Sequence, residues 1–267
     1  MRTKSYSFAG NSLVTLKDQD WFEKQQVAGR AVASCLATSK KLIKSGADIS
    51  LKDLEAECEK IISDFNCTPT FKNYKGFPGS ICASVNKQLV HGIPSDYRLK
   101  NGDVVKIDLG ATYNGAIADA AITAVHGGVN SKYKKLIETC KKSLYEAIKS
   151  IQIGKRIGII GYTINKYTEA QGFSLITKYG GHGISWEMPH ASPFIANKSK
   201  RDEGIRIQPG LTIAIEPMLV MGYSDKTKVD KDGWTVYTKD VSAHFEHTVF
   251  VADDKIHIMT DYENLRS

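Results

Sequence analysis

The sequence has no uninterrupted apolar run of about 18 residues, the length a membrane-crossing helix requires. It has no Cys-x-x-Cys pair either. The five cysteines, Cys35, Cys58, Cys67, Cys82 and Cys140, are odd in number and widely spaced. That pattern argues against a zinc finger or a disulfide framework and suits reduced thiols inside a cell. There is no low-complexity linker, and Met1 to Gly10 is polar, without the apolar core of a signal peptide. Hydrophobic residues make up 42% and charged residues 24% of the 267, a globular balance that excludes wholesale disorder, collagen and coiled coil. Charge is nearly balanced: 36 basic against 29 acidic residues leave +7. This surplus permits weak attraction to acidic surfaces but comes with no basic motif, so no specific nucleic-acid partner is expected. A chain of this length buries enough surface to need no covalent staples. It is read as one domain, residues 1–267, opening with a polar segment of about residues 1–17. Nothing in the composition calls for more than a monomer.

Periodicity predicts helices over 19–46, where Val27, Ala31, Cys35 and Leu42 share a stripe, and over 48–64, with Ser50 as N-cap. Two more are expected over 130–151 and 157–170. Residues 66–80, rich in Pro, Gly, Thr and Asn, read as loop, and Ile81–Val85 as a short strand. Asn114-Gly115 joins two strand-like runs between Asp103 and Ala124, the strongest short-range hairpin signal. A Gly-rich loop at 180–183 precedes strands near 211–220, 234–238, 242–252 and 255–259. The order of helices, strands, helices, strands suggests two similar halves in an α/β (α+β) fold.

The chemistry starts from the hairpin. If Asn114-Gly115 is a two-residue turn, Gly110 faces Asp119, so Asp108 and Asp119 are diagonal neighbours on one face. Both lie among apolar residues, where two carboxylates repel and lose hydration, and a cation between them removes both penalties. Glu216 ends the apolar run Leu211–Ile215 just before Pro217. In the run 242–251, period two puts His244, Glu246 and Thr248 on one face and His247 on the other, where it is expected to be packed. His182 is flanked by glycines that allow close approach to a ligand. His91 and His190 also sit beside turn residues, whereas His126 and His257 are read as structural. Taken singly, each of these has a plain structural explanation. Together, four carboxylates and one imidazole suit two divalent ions about 3.5–4 Å apart. Hard oxygen donors with one histidine favour manganese, iron or cobalt over a structural zinc.

The set resembles the type I methionine aminopeptidases. The likeness runs from about residue 20 to 260 and rests on Cys82–Asn86 with His91–Pro94, Gly102–Asp108 with Asp119, Gly181–Ile184, Ile215–Met218, Asp232–Thr235, and Ser242-Ala243 with Phe245–Thr248. The resemblance implies the pita-bread fold, with two related halves of antiparallel sheet covered by helices. It implies two divalent metal ions (cobalt, manganese, iron or zinc) held by Asp108, Asp119, His182, Glu216 and Glu246, the five residues already selected. It also implies that His91 contacts the substrate amine or scissile nitrogen, that His190 bonds the scissile carbonyl, that Glu216 is the general base, and that Tyr74, Phe77, Cys82 and Trp234 wall a methionine pocket. The implied activity is removal of the initiator methionine from nascent proteins in the cytoplasm, and the basic surface would suit a place near the ribosome.

Three features depart from the family pattern. Ser185 replaces a glycine. His190 follows His182 by eight residues rather than seven and precedes Ala191-Ser192 rather than two glutamates, so Met188 or Pro189 stands where a pocket phenylalanine is usual. His244 replaces a glutamine, on the face of Glu246, with a solvent-facing position as the alternative. Two rival readings remain. One is an Xaa-Pro aminopeptidase of the same fold, against which the few residues before the first helix argue. The other is a non-catalytic pita-bread protein that binds RNA or partners, against which the intact ligand set argues.

Overall fold

A computed structural model describes residues 5–8, 12–128, 131–186 and 188–265 of the chain. Most of the segment read as free of a signal peptide, and Asn130 at the start of the third expected helix, lie outside the described residues. Within the expected polar segment, Ser5–Phe8 and Ser12–Thr15 pair as antiparallel strands.

The first helix, α1 (Gln19–Ser45), is capped by Asp18, whose carboxylate accepts from the Trp21 N–H at 3.0 Å, and ends at Gly46 with φ 72°. The second, α2 (Leu51–Asp64), opens with a reciprocal capping box between Ser50 and Asp53. The helices α3 (Ser131–Lys149) and α4 (Ile159–Gln171) repeat the paired arrangement in the second half.

Val104–Tyr113 and Ala116–Val125 form the expected hairpin, in the expected register: Tyr113 opposite Ala116, Gly110 opposite Asp119, Asp108 opposite Ala121. Asn114 and Gly115 both have positive φ, 46° and 82°, as this two-residue turn demands. The hairpin lies in a nine-stranded sheet of antiparallel pairs. Its main path runs Met188–Ala196, Gly180–Ser185, Thr212–Ile215, Glu246–Val251, Ala116–Val125, Val104–Tyr113, Thr68–Pro69. Ile256–Ile258 pairs with Glu246–Val251, and Cys82–Val85 with Val104–Tyr113. Helix α1 lies over the hairpin, so both its faces are buried. A small sheet of Ser242–His244, Met218–Val220 and Ser174–Leu175 is backed by α3, and another joins Thr227–Val229, Val236–Thr238 and Gln88–Val90. One continuous core, including Leu36, Leu54, Ile107, Leu144 and Ile213, links helices to sheets. This is the pita-bread arrangement of curled antiparallel sheet under helices.

Several elements differ from the sequence reading. The runs 211–220 and 242–252 are not single strands. The first breaks at Glu216-Pro217 and the second at Phe245, and at both points the chain passes between the large sheet and the small one. Pro217 has no N–H for a ladder, and the Phe245 N–H donates instead to the Pro217 carbonyl at 3.4 Å. Residues 66–80 contain the strand Thr68–Pro69 and a 3₁₀ turn, Tyr74–Gly76. Residues 180–183, expected as a loop, belong to an interior strand, Gly180–Ser185. Its glycines are needed because a Cβ on Gly181 or Gly183 would fall on the carbonyl oxygens of Ala214 and Ser192 in the flanking strands. Gly183→Ala is therefore expected to destabilise the protein by about 1–3 kcal/mol, read from urea unfolding. An unchanged midpoint would show that the Ser192 backbone yields freely.

Candidate metal centre

Four separated segments deliver five side chains to one place. The hairpin supplies Asp108 and Asp119. Glu246 starts its strand opposite Ala121, which is also the partner of Asp108. His182 lies opposite Ala214, two residues before Glu216. Oxygens of Asp108, Asp119 and Glu246 lie within 4.8 Å of one another, as do the donor atoms of His182, Glu216 and Glu246. Glu246 belongs to both of these groups, so the clusters overlap as a dinuclear site would; a third group joins Asp119 and His182 with His190. His182 Nε2 is 3.8 Å from Asp119 Oδ2, 3.7 Å from Glu216 Oε1 and 3.8 Å from Glu246 Oε1.

The tautomer of His182 follows from its other nitrogen. Nδ1 is 3.1 Å from the Gly183 carbonyl, which can only accept, so Nδ1 carries the proton and Nε2 presents a lone pair to the three carboxylates. Burial pushes His182 down to about pKa 4, so the ring is neutral at pH 7. The carboxylates are pushed the other way. Burial raises Asp119 to about 7. Burial first, and neighbouring carboxylates second, hold Asp108, Glu216 and Glu246 well above the usual range. Asp108 Oδ1, Asp119 Oδ1 and Glu246 Oε1 are buried with no hydrogen-bond partner. Orphaned acceptors of this kind are what bound cations satisfy, and the donor set fits hard divalent ions.

A cavity of about 230 Å³ opens beside this cluster. That is smaller than the roughly 300–1,000 Å³ of ordinary small-molecule clefts and suits a single side chain with its amide. Phe77 and Trp234 meet edge to face at 5.2 Å, and Cys82 packs with Phe77. Tyr74 stands 5.5 Å from the His190 ring. Burial raises the Cys82 thiol, leaving it a protonated, soft wall opposite Asp108. All four expected pocket residues line the cavity. Phe71, Lys75 and Val90 also line it and were not anticipated, although Phe71 precedes Tyr74 by three residues in the same aromatic loop.

His91 lines the cavity too, in a left-handed conformation with φ 58°, a strained geometry for a non-glycine residue that concentrates at functional sites. Burial lowers its pKa. His190 reaches the cavity despite its offset, with its ring 4.5 Å from that of His182. Register shifts flank Ala191 on both sides. Pro189 is buried, and the side chain of Met188 lies outside the described residues. Ser185 shares a 3.4 Å hydroxyl contact with Thr15. His247 is packed away from the cluster, its nitrogens meeting Thr260 Oγ1 at 2.9 Å and the Tyr145 hydroxyl at 3.1 Å. His126 bonds the Ala47 carbonyl at 3.0 Å, and His257 packs on Phe22. His244 does not face solvent. It is 1% exposed and stands beside Glu216 rather than with Glu246, because the strand breaks at Phe245.

The chain matches the model of metallopeptidase family M24 over residues 23–253. It is 42% identical over 254 residues to a methionine aminopeptidase of Mycoplasma capricolum subsp. capricolum, covering 94% of this chain and 100% of that one. A solved methionine aminopeptidase from Thermotoga maritima is similar with a TM-score of 0.88 and 35% identity, over 92% of this chain and 99% of the other. A prolidase from Pyrococcus furiosus, with a TM-score of 0.74 and 20% identity over 92% of this chain and 65% of its own, shares the fold alone. The chain belongs to metallopeptidase family M24 and, within it, to the methionine aminopeptidases.

Metal binding requires these carboxylates ionised, whereas burial keeps them protonated above their ordinary range, so ions must displace protons. Divalent-ion affinity is expected to rise with pH through the folded pKa values, including that of Asp119 at about 7. His182, already neutral, adds no such dependence near pH 7. Calorimetric titration with Mn²⁺ at pH 6.5, in buffers of different ionisation enthalpy, should show net proton release that diminishes by pH 9. Absence of proton release at the lower pH would mean the acids are ionised without penalty.

Proposed function

We propose that this metallopeptidase removes the initiator methionine from the N-terminus of newly made proteins, the whole chain acting as one catalytic unit, in the cytoplasm and near the ribosome. The observation that carries this reading is the convergence of four carboxylates and one imidazole at an aromatic- and thiol-walled cavity. The metal ligands are Asp108, Asp119, His182, Glu216 and Glu246, and the ions are two, of cobalt, manganese, iron or zinc. Such ions, when bound, lower the pKa of water so that a nucleophile forms near neutral pH.

The chain's own residues do the rest. Phe77, Trp234, Tyr74 and Cys82 hold the methionine side chain, whose thioether gains from contact with aromatic ring edges. Filling that cavity fixes the first peptide bond against the acid cluster, which converts a bimolecular encounter into a positioned one. His91 contacts the amine or scissile nitrogen at one side. His190 donates to the scissile carbonyl and stabilises charge developing on its oxygen. Glu216 takes the proton of the attacking water and passes it to the leaving amine. The walls exclude water from the bond being cut, which strengthens each of these polar contacts.

The test is a Met-Ala-Ser peptide, assayed with chelator and again after restoring Mn²⁺, Co²⁺ or Fe²⁺. Metal-dependent release of free methionine is expected. Release only from an Xaa-Pro peptide would favour the prolidase-like rival, and no release would favour a non-catalytic protein. Asp108→Ala and Glu246→Ala should each lose at least one ion by metal analysis, and two ions retained would remove them from the ligand set. His190→Ala should keep its metal but lose at least about a hundredfold in turnover, the order expected for an oxyanion donor. Wild-type rates would assign that work elsewhere.

A further inference from the structure

We propose that His244 is a positioning residue for Glu216: its neutral imidazole donates from Nε2 to Glu216 Oε2 and so holds the carboxylate whose other oxygen faces His182. The inference rests on the reading of Glu216 as ligand and base, and adds the group that orients it. His244 Nε2 is 3.5 Å from Glu216 Oε2, whereas Glu216 Oε1 is 3.7 Å from His182 Nε2, so two histidines bracket one carboxylate. His244 is buried, and neither of its ring nitrogens has a hydrogen-bond partner. An orphaned buried polar atom is costly, so a histidine here needs a polar partner, and Glu216 is the one it faces.

The side that moves to close the gap is Glu216. The His244 backbone is clamped, because Thr123 Oγ1 donates to its carbonyl at 2.6 Å and accepts from its N–H at 2.9 Å. Pairing with Met218 fixes the register of the ring beside Glu216-Pro217. The side chain of Glu216 is 12% exposed, against 1% for that of His244, so it has the more room to move. A shift of about 0.5 Å brings the pair to ordinary N–H···O length, and bonds of this kind tighten when a site is loaded.

Two observations argue for a donor rather than a sixth metal ligand. Among the described residues, none of the carboxylate–imidazole groups able to hold an ion includes His244. The surroundings of the two rings also differ. The Nδ1 proton of His182 goes to the Gly183 carbonyl and frees Nε2 as a lone pair. His244 Nδ1 has no such acceptor, so its Nε2 is free to carry the proton that Glu216 accepts.

The experiment titrates the full chain, stripped with chelator, with Mn²⁺ alone by calorimetry, comparing wild type with His244→Phe and His244→Gln. The phenylalanine keeps the ring shape without a donor, and the glutamine restores an N–H. His244→Phe is expected to weaken Mn²⁺ binding about 10–100-fold, the range for lost partners of ligating groups, and His244→Gln to recover most of that loss. Phe and wild type binding alike would overturn the proposal while leaving the metal centre intact. Gln failing as badly as Phe would overturn it too, by assigning the imidazole a ligand role. No Mn²⁺ binding by wild type would remove the underlying reading and the proposal with it. A second readout does not depend on the variants folding. Nitrogen-15 spectra of histidine-labelled wild type loaded with Zn²⁺ should show His244 protonated at Nε2 and His182 at Nδ1. The opposite tautomer at His244 would refute the donor role.

Discussion

Four carboxylates are held in a buried space, and among the described residues none of them is ion-paired to a lysine or arginine. Unpaired charges in such a setting carry a desolvation penalty of several kcal/mol each, so the acids either keep protons or take cations. The same pressure that lifts their pKa values makes the centre a strong cation trap once the protons leave. His182 adds one neutral nitrogen aimed at three of the four, which tightens the site without adding charge.

The fold serves that constraint through two crossings. Glu216-Pro217 and Phe245 are the points where the chain leaves one sheet for another, and each crossing places a carboxylate at its edge. Threonines fasten the Phe245 crossing to the hairpin. Thr248 Oγ1 donates to the Asp119 carbonyl at 2.7 Å and accepts from its N–H at 2.8 Å. Thr123 makes the matching pair of bonds to His244. Asn197 adds a third anchor by donating to the Glu216 carbonyl at 3.0 Å. The backbone that carries the acids is thus rigid, which matters because repelling carboxylates would otherwise splay.

Much of this could be read from the sequence. The Asn114-Gly115 turn fixed a register, and the register alone put Asp108 and Asp119 on one face. The start of the second helix followed from Ser50 acting as its cap. What escaped was the division of long apolar runs. Strands buried on both faces lose the alternation that marks strand limits, so 211–220 and 242–252 looked continuous. The same loss placed His244 with Glu246, when the break at Phe245 turns it toward Glu216. Glycines at 180–183 suggested a loop because close approach of neighbouring backbones leaves no local signal. The strand Met188–Ala196 was missed because its irregular ladder hides any period.

The central claim is that five side chains from distant segments enclose a pair of divalent ions. Anomalous diffraction from crystals of the whole chain soaked in Mn²⁺ tests it most directly. The account predicts two strong manganese peaks among Asp108, Asp119, His182, Glu216 and Glu246. Peaks only elsewhere on the surface, with these side chains still clustered and metal-free, would contradict it.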